Sequence, residues 1–195
     1  MSETTAIDNA AFVKGLKILF YAAVADTVLS ALSAFSALPS FLIWPARLAT
    51  LAQLLVLLHL RTLTKRYKKA GIFRLISLIL PLGAAIRYVG LVFTLAAAVF
   101  SWLAAYQEYR GHGGLTREKD LNLADRWNGL FELTIYLAIG LGLLGAGAAW
   151  VIGRLEMNET LQTFLCDAAY AAPTLFIGVC FYLRYLKNTI RVFES

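Results

Sequence analysis

The stretch IFRLISLILPLGAAIRYVGLVFTLAAAVFSWLAAY, residues 72–106, decides between two folds for this chain. As a single helix its 35 residues would extend about 52 Å, whereas the hydrocarbon core of a bilayer is about 30 Å thick. The sequence Leu-Pro-Leu-Gly at 80–83 interrupts a helix, and Arg87 would lie in lipid if the stretch crossed once. We therefore expect two short segments, at about residues 72–84 and 88–106.

The positive charges of the chain favour the same solution. Fifteen of the eighteen Lys and Arg residues fall in four clusters that flank apolar runs. Cytoplasmic loops are enriched in Lys and Arg, and two crossings, or a re-entrant hairpin, within residues 72–106 put all four clusters on one side. A single crossing, the alternative, would put the third cluster and the C-terminus outside. The clusters are Lys14 and Lys17; Arg61, Lys65, Arg66, Lys68, Lys69 and Arg74; Arg110, Arg117, Lys119 and Arg126; and Arg184, Lys187 and Arg191.

The composition is that of a membrane protein. Hydrophobic residues make up 59% of the chain and charged residues 15%, with a mean hydropathy of +0.67, whereas a soluble domain has roughly 45 to 50% and 25%. The net charge of +6 does not indicate nucleic acid, because the basic residues lie at the ends of apolar segments, where anionic lipid headgroups are the nearer partner. The expected partners are the lipid bilayer and anionic lipids at the basic cytoplasmic loops.

The remaining apolar runs predict four further segments, at about residues 16–38, 41–63, 130–152 and 161–186. The polar stretch 107–114 reads as a helix end followed by a flexible loop. Residues 116–127, with Thr116 as N-cap, have the amphipathic pattern of an interfacial helix that leads into the fifth segment.

The predicted fold class is therefore all-α. Residues 1–195 form a single polytopic membrane helical bundle of about six segments, arranged as three helical hairpins. The middle hairpin is short or re-entrant, and five crossings is the alternative. Both termini are expected in the cytoplasm.

Ionisable residues inside a membrane are candidates for function, since each costs a few kcal/mol unless it is paired or solvated. Asp26 lies about ten residues from either end of its predicted segment. Such a carboxylate either responds to protons or cations, or is satisfied by Ser or Thr hydroxyl groups on a neighbouring helix, or is simply protonated. Asp167 and Arg87 are the other candidate intramembrane residues.

Small residues four apart in the fifth segment indicate close helix packing. These residues are Gly142 with Ala146, and Gly145 with Ala149, and such spacing lets a second helix backbone approach closely. The first hypothesis for function is therefore a non-enzymatic membrane subunit or accessory protein that acts through helix packing in a homo- or hetero-oligomeric assembly. The alternative is a small channel or transporter that uses Asp26.

Signatures of enzymes are missing from the sequence. It contains no Gly-rich phosphate loop, no His-Glu-x-x-His and no paired Cys motif, which are the patterns that carry phosphate, zinc or redox chemistry. The polar residues of the apolar segments look scattered along the chain. We therefore predict no catalytic, metal-binding or cofactor-binding residues and no cofactor.

Overall fold

The computed structural model describes residues 9–32, 35, 43–85, 90–155 and 158–194. This part of the chain is helical and contains no β-strand. A 3₁₀ segment follows α2 and another follows α3, and a π-helix joins α6 directly to α7. The helices are α1 Asn9–Leu32, α2 Ile43–His59 with the 3₁₀ segment Leu60–Thr62, α3 Lys65–Ile79 with the 3₁₀ segment Leu80–Ala85, α4 Gly90–Thr116, α5 Leu121–Ile152, α6 Glu159–Ile177, the π-helix Gly178–Leu183 and α7 Arg184–Glu194.

Residues 72–106 do not form one helix. Helix α3 ends at the 3₁₀ segment that contains the Leu-Pro-Leu-Gly sequence, as the proline predicts. Phe73 in the middle of α3 contacts Phe100 in α4 with 5.9 Å between ring centroids, whereas Gly83 after α3 lies against Phe93 early in α4. The two helices therefore pack side by side and antiparallel.

The helices close into a bundle. Each of α1 to α5 packs against the next helix in the chain, and both α6 and α7 return to pack against α1. Three helices are long and apolar enough to cross a membrane, namely Ala10–Leu32, Gly90–Thr116 and Leu121–Ile152. The all-α prediction is thus confirmed for the described residues, with three helices of membrane-spanning length.

The four basic clusters gather at one end of this bundle. Phe193, beside the last cluster, contacts the ring of Phe12 near the first cluster and the ammonium group of Lys119 in the third. Tyr67, inside the second cluster, lies against Gly111 next to the third. The largest hydrophobic core, which includes the rings of Phe12 and Tyr67, lies at this same end.

Helix α4 extends to Thr116, so the prediction of a flexible loop at residues 107–114 is wrong. A Cβ atom at Gly111 would lie 2.8 Å from the Tyr67 ring, and one at Gly113 would lie 2.7 Å from the Asn128 side chain. Glycine lowers helix propensity by about 1 kcal/mol per residue. Here it permits close packing of α3 and α5 on α4, and that packing outweighs the low propensity.

Residues 116–127 also differ from the predicted interfacial helix. Thr116 is the last residue of α4 rather than an N-cap. The N-cap of α5 is Asp120, whose carboxylate accepts a hydrogen bond of 2.9 Å from the Leu123 backbone N–H. Ala124 and Trp127 are 0% exposed. Ala124 and Trp127 therefore pack into the core, whereas Leu121 on the same segment is 57% exposed.

Candidate functional site

A cavity of about 340 Å³, partly open to the outside, lies between the helices of the bundle. Its volume corresponds to roughly ten water molecules at about 30 Å³ each. Helices α1 to α6 and the π-helix all contribute to its wall, which combines polar side chains with apolar and aromatic surface. The lining residues are Ala23, Asp26, Thr27, Ser30, Gln53, Arg74, Ser101, Trp102, Tyr109, Thr134, Ile177, Gly178 and Tyr182.

The cavity lies at a level where the outer surface of the bundle is apolar. On α4, Val99 is 58% exposed two residues from the cavity-lining Ser101, and on α5, Tyr136 is 73% exposed two residues from Thr134. Residues two apart on a helix point about 200° apart. Val99 and Tyr136 therefore point away from the cavity lining, although Ser101, at the cavity, is itself exposed.

Asp26 lies on the α1 wall of the cavity. Its Oδ1 accepts a hydrogen bond of 2.8 Å from the Thr50 hydroxyl in α2. One turn further along α2, the Gln53 side chain donates to the Ala22 carbonyl oxygen at 3.4 Å. The described ion pairs do not include Asp26, so its carboxylate has a hydroxyl partner but no cationic one in this part of the chain.

A buried ion pair forms the opposite side of the site. Arg74 in α3 donates through Nη2 to Glu108 Oε2 in α4 at 2.9 Å, with side-chain exposures of 15% and 0%. Tyr182 of the π-helix donates its hydroxyl proton to Glu108 Oε1. The charges of Arg74 and Asp26 interact across the cavity. One carboxylate thus holds three helical elements together and neutralises the arginine.

His112, one turn after Glu108 on α4, extends this polar network toward the basic end. Its Nδ1 lies 2.8 Å from the Tyr67 hydroxyl, and its Nε2 lies 3.8 Å from Glu108 Oε1, which is longer than a hydrogen bond. Burial, together with the Glu108 carboxylate, raises the pKa of Tyr67 well above its usual 10. The Tyr67 phenol therefore keeps its proton, and the imidazole tautomer sets which group donates in the Tyr67–His112 hydrogen bond.

The imidazole is fixed in place by aromatic packing. Its ring lies 4.5 Å from the ring of Trp127 between centroids, at an interplanar angle of 30°. Trp127 in turn donates through Nε1 to the Thr189 hydroxyl at 2.8 Å. His112, Trp127 and Thr189 are all 0% exposed. The network therefore connects α3, α4, α5 and α7 at the basic end, and Glu108 joins it to Arg74 and Tyr182, which line the cavity.

The π-helix shapes the cavity wall. A π-helix carries an extra residue per turn and is frequent at functional sites. A Cβ atom at Gly178 would lie 2.7 Å from the Thr27 side chain, so glycine is required for the close approach of α1 at this point. Five residues along, Leu183 is buried, while Tyr182 turns toward Glu108.

The candidate intramembrane residues from the sequence end up in different places. Asp26 lines the cavity. Asp167 is half-buried in α6 and is not among the cavity-lining residues. Arg87 lies outside the described residues.

The small residues of α5 divide into two pairs. Ala149 is 9% exposed, and its carbonyl oxygen lies 3.6 Å from the Cys166 thiol of α6. Gly145 is also buried, so this pair packs inside the chain against α6. Gly142 and Ala146 are exposed, and a Cβ atom at Gly142 would meet nothing within 4 Å.

Comparisons with family models, with curated proteins and with solved structures find no match to this chain. Its function has therefore to be argued from its own geometry. Among the described residues, no group of three or more His, Cys, Asp and Glu side chains is arranged to hold a metal ion. The chemistry available at the cavity is hydrogen bonding, charge pairing and contact with aromatic rings.

Sequence reasoning missed Arg74, Glu108 and His112 as members of one site. Arg74 was assigned to a basic cluster, and Glu108 and His112 to a polar loop. A signal was present, because Glu108, His112 and Thr116 follow one another at intervals of four and so share one face of a helix. Helical phase alone, however, does not reveal that the partners Tyr67 and Tyr182 come from distant segments.

Proposed function

We propose that this chain is a non-enzymatic multi-pass integral membrane protein, with six helical segments and both termini in the cytoplasm, that conducts or transports a small polar solute through the cavity at Asp26. The observation that carries the proposal is the convergence of polar side chains from every segment on one cavity of about 340 Å³. Ligand pockets of roughly 300 to 1,000 Å³ with a few convergent polar groups are typical binding sites.

The cost of polar groups in a membrane supports a function for this cavity. A carboxylate near the bilayer interior is expensive to keep, and such residues usually face a cavity and mark a solute or proton path. Asp26 faces the cavity, and Arg74 and Glu108 lie on its other side. The gathering of all four basic clusters at one end supports the proposed cytoplasmic position of the termini.

The test is solute flux in proteoliposomes. A panel of a small amine, a small carboxylate and a neutral polyol, each applied as a gradient, reports which solutes pass, and Asp26→Asn should abolish the flux of any that do. Glu132→Gln is the matched control, because Glu132 is a carboxylate on α5 that is exposed and does not line the cavity. Equal flux through wild type, Asp26→Asn and empty vesicles would contradict the proposal.

A second function, that of an accessory subunit in a larger assembly, is favoured by the exposed small residues on α5. Gly142 and Ala146 present an open strip, and small residues four apart let a partner helix approach closely. Substitution of Gly142 by Leu should then dissociate an oligomer without loss of helix content. Size-exclusion chromatography with light scattering in detergent measures this, and a strict monomer in the unsubstituted protein would remove the support.

A further inference from the structure

The charges around the cavity identify the class of solute that it suits. We propose that the cavity binds a small organic monovalent cation, an amine or quaternary ammonium group, with the Asp26 carboxylate as its counter-ion and aromatic rings around it. This inference rests on the proposed function, since it names the solute class of the same cavity. The solute class can be tested separately from the transport function, because binding and flux are measured independently.

The charge count is the first step. The charged residues that line the cavity are Asp26 and Arg74. Arg74 is paired with the buried carboxylate of Glu108 at 2.9 Å, so those two charges cancel. Asp26 is in none of the ion pairs of the described residues; it accepts a hydrogen bond from the Thr50 hydroxyl and interacts with the Arg74 charge across the cavity. With Asp26 ionised, the three side chains Asp26, Arg74 and Glu108 together carry a net charge of −1, and a monovalent cation neutralises it.

The same pairing argues against an anionic solute. A carboxylate bound to Arg74 would have to compete with Glu108, which already has a hydrogen bond from Tyr182 as well as the guanidinium group. It would also add a second negative charge to a cavity that contains Asp26. Breaking a buried ion pair without replacing it is strongly unfavourable. Arg74 and Glu108 therefore act at the site as a neutral ion pair.

The remaining walls suit an organic cation better than a bare metal ion. Trp102, Tyr109 and Tyr182 are three of the lining residues, and ring faces attract ammonium groups within about 6 Å. Tyr109 and Tyr182 lie 5.7 Å apart between ring centroids and form one aromatic wall. A desolvated inorganic cation instead needs about six or more oxygen ligands at short range, whereas the cavity is wide enough for a molecule.

The experiment compares two ligands of nearly the same shape. Choline and 3,3-dimethylbutan-1-ol differ in charge but hardly in size, and each is titrated into the detergent-purified full chain by calorimetry. Choline should bind about tenfold or more tightly than the neutral alcohol, since tenfold corresponds to the contribution of one ion pair or cation–π contact. Asp26→Asn should remove this preference, and Glu132→Gln should retain it.

Several outcomes would overturn the inference. Equal affinity for the two ligands would show that charge plays no role, and tighter binding of acetate than of choline would show that Arg74 is the recognising group. Asp26-dependent binding of Na⁺ or K⁺ without binding of choline would assign the site to inorganic ions. Asp26-dependent flux of a neutral or anionic solute, with no choline binding, would leave the transport function standing and remove only the solute class. Choline binding with no flux would leave the solute class standing and remove the transport function.

Discussion

The buried pair of Arg74 and Glu108 allows a quantitative test of the packing. In Glu108→Gln the side chain keeps nearly its shape and can still accept a hydrogen bond from Tyr182, but the Arg74 guanidinium group, 15% exposed, loses its counter-charge. Removal of one partner from a buried ion pair costs about 3 to 5 kcal/mol, because the other charge stays buried without compensation. We expect the free energy of unfolding to fall by that amount.

A second substitution, at Arg74, should restore part of the lost free energy of unfolding. In the double variant Arg74→Met with Glu108→Gln, neither charge is present, and replacement of a whole buried pair is often close to neutral. The double variant should therefore be more stable than Glu108→Gln alone. The losses of the two single variants should therefore add up to more than the loss of the double variant, as expected for two residues in contact.

Unfolding by sodium dodecyl sulfate in mixed micelles is the assay, followed by the fluorescence of the chain's four tryptophans. The fully buried Trp127 packs on His112 next to the pair and reports its loss directly. Glu194→Gln is the control, since the Lys17–Glu194 pair is exposed on both sides and such pairs contribute little to stability. If Glu108→Gln unfolds like the unsubstituted protein, or if the losses of the two single variants simply add, the ion pair is not formed and the network at α3 and α4 is wrong.

The glycines of α4 and the charge of the predicted hairpin tip give two further predictions. Gly111→Ala should destabilise the bundle by about 1 to 3 kcal/mol, because the new methyl group would lie 2.8 Å from the Tyr67 ring. Gly114→Ala, whose methyl group would have nothing within 4 Å, should be neutral or stabilising. The same micelle titration measures both variants. Single cysteines at Arg87 and Glu118, in a background without the native cysteines, should be labelled from opposite sides of the membrane by an impermeant maleimide; labelling from one side would contradict the antiparallel α3 and α4.

The helical hairpins could be predicted from the sequence because the residues that end a helix act locally. The Leu-Pro-Leu-Gly sequence at 80–83 is a local helix-ending signal, and the structure ends α3 there. The end of α4 could not be predicted from the sequence, since Gly111 and Gly113 lower local helix propensity. They are retained in the helix by contacts with Tyr67 and Asn128. These contacts join residues far apart in the chain, and no local pattern encodes them.

The candidate site divides in the same way. Asp26 was predictable because a carboxylate in an apolar run is conspicuous, and it lies at the cavity. Glu108 and His112 were not, since the same residue types at a helix end usually mark a solvated loop. Their burial at 0% exposure depends on Arg74 and on Tyr182 of the π-helix. Polar residues that look scattered along the sequence therefore converge only when the bundle closes.

Thiol accessibility within the membrane tests the cavity most directly. In a background with Cys166 and Cys180 replaced by alanine, single cysteines at Ser101 and Val99 lie within one turn of α4; both positions are exposed, but Ser101 lines the cavity and Val99 does not. A water-filled binding site at Asp26 predicts that Ser101→Cys reacts with a small hydrophilic methanethiosulfonate in native membranes, that choline slows the reaction, and that Val99→Cys is inert in lipid. An inert Ser101→Cys, or equal reactivity at both positions, would contradict a solute-binding cavity at the centre of this protein.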